Sequence, residues 1–299
     1  MNIDAKGGRS EMKDFKGRVA LITGAAHGFG KEFVKQAAQR GMKIAAVDIM
    51  EDALNEIAPL AEGLGAEKVL LFPCDVTEYE QVKCVVAKVM EEFGQIDLLM
   101  NNAGVATFGP VWAVPPIEYE WIIDTNLKSH IYFMHEVIPI MMKQGTHCNI
   151  VNTCSAAGTF TSKSAAAYQA SKFGALALTE SVYYDLADAG ADIHMSAYCP
   201  GFIQTHLDHS EEYKQDKYKI DDPYYGSKYH QAMQGAAAYF IKTGRAIDES
   251  GPIVFKAIED DQLYIITHEH YDKYIQLRCE NMLARKNPEL IPIDHNIQQ

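Results

Sequence analysis

The 299-residue chain is short of positive charge: 27 Lys and Arg stand against 40 Asp and Glu, a formal net charge of −13. Nucleic acid and anionic membrane surfaces both ask for a basic face, so neither is an expected partner. Paired cysteines are missing too. Cys74, Cys84, Cys148, Cys154, Cys199 and Cys279 are scattered and form no CxxC, which argues against a disulfide framework and suits free thiols in a reducing compartment. No apolar run approaches the roughly 18 residues needed to cross a bilayer. The first residues, MNIDAKGGRSEMKDFKG, lack the apolar centre of a secretory signal, so the expected location is cytoplasmic. There is no internal repeat and no low-complexity stretch. The histidines contain no HExxH, and His268-Glu269-His270 reads as a solvated turn, so no metal is expected.

What is present is ample apolar material, 47% of residues, enough for one large core. Short branched runs recur: RVALIT from Arg18, KIAAVD from Lys43, KVLLF from Lys68, IDLLMN from Ile96, CNIVNT from Cys148, IHMSAY from Ile193 and LYIIT from Leu263. None alternates cleanly, as expected of strands covered on both faces of a parallel sheet. Between them lie amphipathic stretches such as KEFVKQAAQR, EQVKCVVAKVMEEF and AAYQASKFGALALTESVYYDLAD. The alternation predicts a single doubly wound α/β domain over residues 15–299, with a parallel sheet of about seven strands flanked by helices. A polar extension, residues 1–14, precedes it, either mobile or packed on a neighbour. A polar and aromatic insertion, about 206–250, is too long for an ordinary loop and reads as a helical lid. A tail of helix and then extended segment, about 269–299, closes the chain.

The first strand runs into Thr23-Gly24-Ala25-Ala26-His27-Gly28-Phe29-Gly30 and a helix. Three glycines there permit a tight turn and let the backbone approach a pyrophosphate at the helix N-terminus. Asp48 ends the second strand, twenty residues after Gly28. A carboxylate at that place can accept from ribose hydroxyls and repels a 2′-phosphate, favouring NAD(H) over NADP(H); its bland alternative is to cap the next helix. His27 would blur the preference if it carried charge.

Tyr168 and Lys172 lie four residues apart on a helical segment, on one face. A free tyrosine has a pKa near 10 and is a poor base; a neighbouring ammonium stabilises the phenolate. Ser155, after the fifth strand and thirteen residues before Tyr168, can bond the same substrate oxygen or simply cap a turn. Cys154 beside it has no activating partner in the sequence and reads as small-residue packing.

These elements in order make the chain resemble a short-chain dehydrogenase/reductase. The match spans about residues 14–205: Thr23-Gly24-x-x-x-Gly28-x-Gly30, Asp75 after strand three, Asn101-Asn102-Ala103-Gly104 after strand four, Asn126 in a long helix, Ser155, Tyr168-x-x-x-Lys172, and Pro200-Gly201 followed by Thr205. The resemblance implies a Rossmann-type sheet and a set of roles. Tyr168 would be the general acid in reduction and the base in oxidation. Lys172 would lower its pKa and hold the nicotinamide ribose. Ser155 would orient the substrate oxygen, and Asn126 would hold a relay water. The dinucleotide would lie on Gly24, His27, Gly28, Phe29 and Gly30, with its ribose at Asp48 and Ile49 and its adenine at Asp75 and Val76. Asn101, Ala103 and Gly104 would line its path, and Gly201, Ile203 and Thr205 would hold the carboxamide.

Candidate substrate residues are Val105, Phe108, Ala157, Phe160 and Phe202, mostly apolar, which suits a bulky neutral ligand. Insertion and tail resemble those of bacterial hydroxysteroid dehydrogenases, implying a hydroxy- or keto-steroid such as a 20-keto steroid. The competing ligands are a polycyclic phenol ketone, a 3-oxoacyl thioester and a small diketone. A non-catalytic NAD sensor is the rival of another class. Tyrosines between 213 and 229 either line the substrate or pack the lid. The tail lacks the glycine pair that ends many relatives, which leaves a homodimer through the two long helices or a homotetramer.

Overall fold

The computed structural model describes residue 12 and residues 14–289. Seven parallel strands form one sheet: β1 (Val19–Thr23), β2 (Lys43–Asp48), β3 (Lys68–Pro73), β4 (Leu98–Asn101), β5 (Cys148–Thr153), β6 (Ile193–Cys199) and β7 (Tyr264–Ile266). Their spatial order is β3-β2-β1-β4-β5-β6-β7, so the direction of winding reverses between β1 and β4. Ligands of doubly wound sheets bind at that reversal, at the carboxyl ends of the strands. The seven apolar runs become the seven strands, each within a residue or two of expectation.

The helices are α1 (Gly28–Gln39), α2 (Glu51–Leu54), α3 (Ile57–Leu64), α4 (Tyr79–Phe93), α5 (Pro116–Ile123), α6 (Ser129–Gln144), α7 (Ala166–Asp188), α8 (Lys228–Lys242), α9 (Ser250–Glu259) and α10 (Asp272–Ala284). Their apolar stripes explain where they lie. In α4, Val82, Val85, Val86 and Val89 are buried, the i, i+3, i+4, i+7 pattern of a helix on a sheet. Phe33, Val34, Ala37 and Ala38 do the same for α1. One core cluster joins α1 and α9 to one sheet face, and a second joins α4 and α6 to the other.

The N-terminal expectation changes at one position. Met12 is fully buried in the α1–α9 core that also holds Phe15, and its thioether accepts from Asn149 Nδ2. The rest of the extension up to residue 11 lies outside the described residues, as does the end of the tail beyond residue 289.

The insertion leaves and rejoins the domain at one point. Ile203 pairs with Arg245, Gln204 N donates to Arg245 O, and Arg245 N donates to Phe202 O. Between them lie 3-10 turns at Leu207–Tyr213, Asp216–Tyr218 and Pro223–Gly226, then α8. Its clasp is a buried ion pair: Lys214 Nζ sits 2.6 Å from Glu118 Oε1 on α5 and 2.7 Å from Glu211 Oε2, over the Trp121 ring at 4.4 Å. Tyr218 donates to Asp124 and Tyr224 to the Phe108 carbonyl. Tyr218 and Tyr224 are thereby buried packing residues.

Candidate active site

One cavity of about 350 Å³ runs along the carboxyl ends of the strands. At one end the turn after β1 carries the glycines. A side-chain carbon on Gly30 would lie 1.8 Å from the Gly24 carbonyl oxygen, so only glycine lets α1 start this close to the strand. Gly24, His27, Gly28 and Phe29 face the cavity; Gly30 supports them from behind. Asn102 Nδ2 donates to the Thr23 carbonyl, while the Thr23 hydroxyl accepts from the amides of Asn102 and Ala103. That lattice fixes the β1 and β4 turns against each other.

Asp48 lines the same end, 8% exposed. It accepts from Ala26 N and Met50 N, both at 2.9 Å, and it does not cap α2, whose N-cap is Met50 with no side-chain cap bond. Burial raises its pKa, and the two amides pull it back. His27 packs against His206 and Tyr213 of the insertion; burial lowers its pKa, which keeps it neutral near pH 7.

At the other end Tyr168, on the first turn of α7, faces Ser155 and Phe108. Ser155 caps the short turn Ala156–Gly158, its hydroxyl accepting from Ala157 N at 3.1 Å. Lys172 Nζ lies 5.7 Å from the Tyr168 ring centre and donates to the Thr153 carbonyl at 2.8 Å. Burial dominates both groups. It pushes the Tyr168 phenol up to about 12, with the Ser155 hydroxyl offsetting part, and pulls the Lys172 ammonium down to about 8. The expected lowering of Tyr168 by Lys172 therefore does not appear in this state. A dry wall disfavours phenolate and ammonium alike, and it leaves the proton on the tyrosine.

Four expected residues are off the cavity wall: Gly30, Asp75, Asn101 and Asn126. Asp75 turns to the insertion, where Oδ1 accepts from Thr77 and from Gln215 Nε2 while Oδ2 faces Lys217 at 3.4 Å. Asn101 Nδ2 donates to Asn152 Oδ1 beneath the sheet end, and Asn102 lines the cavity in its place. Asn126 sits in a π-helical turn, Asp124–Lys128, between α5 and α6, rather than in a regular long helix. The wider turn lets its amide pair with both backbone groups of Val105, at 2.8 and 2.9 Å, and donate to Ser171 Oγ at 3.1 Å. π turns recur at functional positions.

Ile49, Val76, Ala103, Gly104, Val105, Ala157, Phe160, Gly201, Phe202, Ile203 and Thr205 all border the cavity. The tail also reaches it, which the sequence reading missed. His270, Tyr271 and Tyr274 line the wall, with Phe160 5.3 Å from both tyrosine rings. No periodic signal marks them: His270 and Tyr271 lie in the 3-10 turn Glu269–Tyr271, and only Tyr274 lies in α10. His268 is a correction. It is buried, not a solvated turn, because its Nδ1 accepts from Gly201 N at 3.1 Å, and burial lowers its pKa to about 4. A side-chain carbon on Gly201 would strike its ring at 2.7 Å. Among the described residues no group of His, Cys, Asp or Glu is arranged to hold a metal ion, and no helix is long and apolar enough to cross a membrane.

The short chain dehydrogenase family model matches residues 18–216. The chain belongs to that family and is one of its oxidoreductases. It is 44% identical to a CLA biosynthesis dehydrogenase/reductase of Lactiplantibacillus plantarum over 95% of this chain and 99% of that protein. It is 33% identical to a 3beta-hydroxysteroid dehydrogenase of Eggerthella lenta over 64% of this chain and 73% of that one. A short chain dehydrogenase/reductase from Burkholderia phymatum, solved in complex with NAD, superposes with a TM-score of 0.89 at 31% identity, covering 95% of this chain and all of that one.

Proposed function

We propose that the protein is an NAD(H)-dependent oxidoreductase that interconverts a secondary alcohol and a ketone on a large apolar substrate. The observation that carries this reading is one continuous cavity, with Asp48 and the glycine turn at one end and Ser155, Tyr168 and Lys172 at the other. The residues fit a dinucleotide. The Gly24–Gly30 cradle would take the pyrophosphate at the start of α1, Asp48 the adenosine ribose, and the Gly201–Thr205 stretch the carboxamide. A 2′-phosphate would meet the Asp48 carboxylate, with neutral His27 beside it, so NADH is favoured over NADPH. The hydride is the chemistry the dinucleotide supplies when bound. Tyr168 gives its proton to the substrate oxygen in reduction and takes it back in oxidation, Ser155 holds that oxygen, and the Lys172 ammonium returns a proton to Tyr168.

The substrate half is walled by Phe108, Phe160, Phe202, Phe240, Tyr271 and Tyr274, which suits a long or polycyclic apolar body. The relative matched over nearly its full length is named for CLA biosynthesis, so a hydroxy- or oxo-fatty acid of the linoleic type is the first substrate class. A hydroxysteroid is the second, supported by the shorter match to a hydroxysteroid dehydrogenase and by the flat aromatic walls. The exposed Ile131, Met142 and Tyr184 on α6 and α7 support a homo-oligomer through those helices. Turnover of oxo-fatty acids and keto-steroids with NADH and with NADPH tests the proposal. NADH oxidation on one class is the expected result. NADH binding with no turnover on either would leave a sensor instead.

A further inference from the structure

His130 is a buried histidine for which the chemistry above has no use. It is 1% exposed, at the start of α6, one turn beyond Asn126. Among the described residues neither of its ring nitrogens has a hydrogen-bond partner, although a neutral imidazole offers one donor and one acceptor. Two orphan nitrogens on one buried ring are uncommon, and sites that hold ordered water are the usual reason. Its surroundings are polar. Asn101 Oδ1, on the strand that α6 covers, is also buried and unpartnered, as is Thr125 Oγ1. The Lys172 ammonium is the charge that bears on the ring. A methyl group on Gly104 would lie 3.4 Å from Asn126 Oδ1 and 3.6 Å from Lys172 Nζ, so these two atoms face one another across the small space beside Gly104.

We propose that His130 is a positioning residue that holds, with Asn126 and Asn101, the water by which the Lys172 ammonium regains its proton from solvent. The inference rests on the catalytic reading of Tyr168 and Lys172. In each ketone reduction Tyr168 loses one proton to the alkoxide oxygen, Lys172 passes one to Tyr168, and one proton from solvent restores Lys172. His130 touches neither substrate nor dinucleotide. It donates from one nitrogen and accepts at the other, and so fixes the water's orientation without itself changing charge.

His130→Leu removes both functions and His130→Gln keeps one donor and one acceptor. The expected result for the leucine variant is a kcat lower by roughly tenfold, less than loss of the acid itself would give. Its NADH affinity is unchanged, and its solvent deuterium isotope effect on kcat is raised. The glutamine variant recovers most of both. A folded leucine variant with wild-type kcat and isotope effect would overturn the proposal. So would equal impairment of the two variants with an unchanged isotope effect. A readout free of turnover is the ring N–H of His130 in protein with ¹⁵N-labelled histidine. Magnetisation exchange with a long-lived water is expected there, and its absence overturns the proposal even in an active enzyme. Failure of the wild type to reduce any carbonyl, with the water contact present, would instead sink the catalytic reading on which the inference stands.

Discussion

The wall of the cavity contributed by residues 18–205 is made of strand ends, the turns that follow them and the helix faces that carry Trp121, Tyr168 and Lys172, whereas residues 206–274 contribute 3-10 turns, one helix and the start of the tail. In the first wall nearly every polar group is pinned by backbone: Asp48 by two amides, Ser155 by Ala157 N, Lys172 by the Thr153 carbonyl. Aromatic contacts seat the second wall against the first: Phe240 stacks on Phe202 at 4.9 Å, and Tyr271 and Tyr274 pack at a tilt on Phe160. Backbone bonds hold the second wall at Arg245 and at β7, and side chains hold the rest, above all the Lys214–Glu118 pair. Chemistry that depends on fixed geometry belongs with the rigid wall. Selection of an apolar body needs only area and shape, which side-chain packing supplies.

If that division is right, damage to the first wall should abolish chemistry or change the cofactor, and damage to the second should change only substrate affinity. Tyr168→Phe has the largest expected effect, a kcat loss of roughly 10²–10⁴-fold with NADH affinity retained; steady-state kinetics and fluorescence titration check it. Asp48→Ser removes the charge that repels a 2′-phosphate and should improve the NADPH-to-NADH affinity ratio by roughly a hundredfold; comparative titration decides. Tyr274→Ala should raise KM for an apolar ketone by roughly tenfold, from lost ring burial, without moving NADH affinity. If it lowered kcat as much as Tyr168→Phe does, the division would fail. The smallest effect is in pH. Burial holds Lys172 at about 8, and reduction uses its protonated form. The NADH-driven rate should be level below that pH and fall as pH rises through it. Lys172→Arg, always charged, should remove the fall from a pH–rate profile.

The same division explains what was legible. The strands, the glycine turn, Asp48, Ser155, Tyr168 and Lys172 could be placed because backbone periodicity and fixed spacings govern the first wall. Asn101 and Asn102 could not be told apart, since which of two adjacent asparagines faces the cavity depends on where β4 ends. The π turn at Asn126 inserts a residue without any sequence mark. Asp75 was assigned from its place after β3, but Gln215, 140 residues away in sequence, and Lys217 just beyond it take up its carboxylate. His268, His270 and Tyr274 escaped for the same reason. Side-chain contacts between distant segments follow no period, and the tail's approach to Phe160 is set by tertiary packing alone.

The most direct measurement is transfer of label. NADH carrying deuterium at the nicotinamide C4 position, incubated with the protein and a set of oxo-fatty acids and keto-steroids, should yield an alcohol bearing one deuterium on the carbinol carbon, and Tyr168→Phe should yield almost none. Bound NADH with no deuterated alcohol from any ketone, or equal labelling by wild type and Tyr168→Phe, would contradict the account.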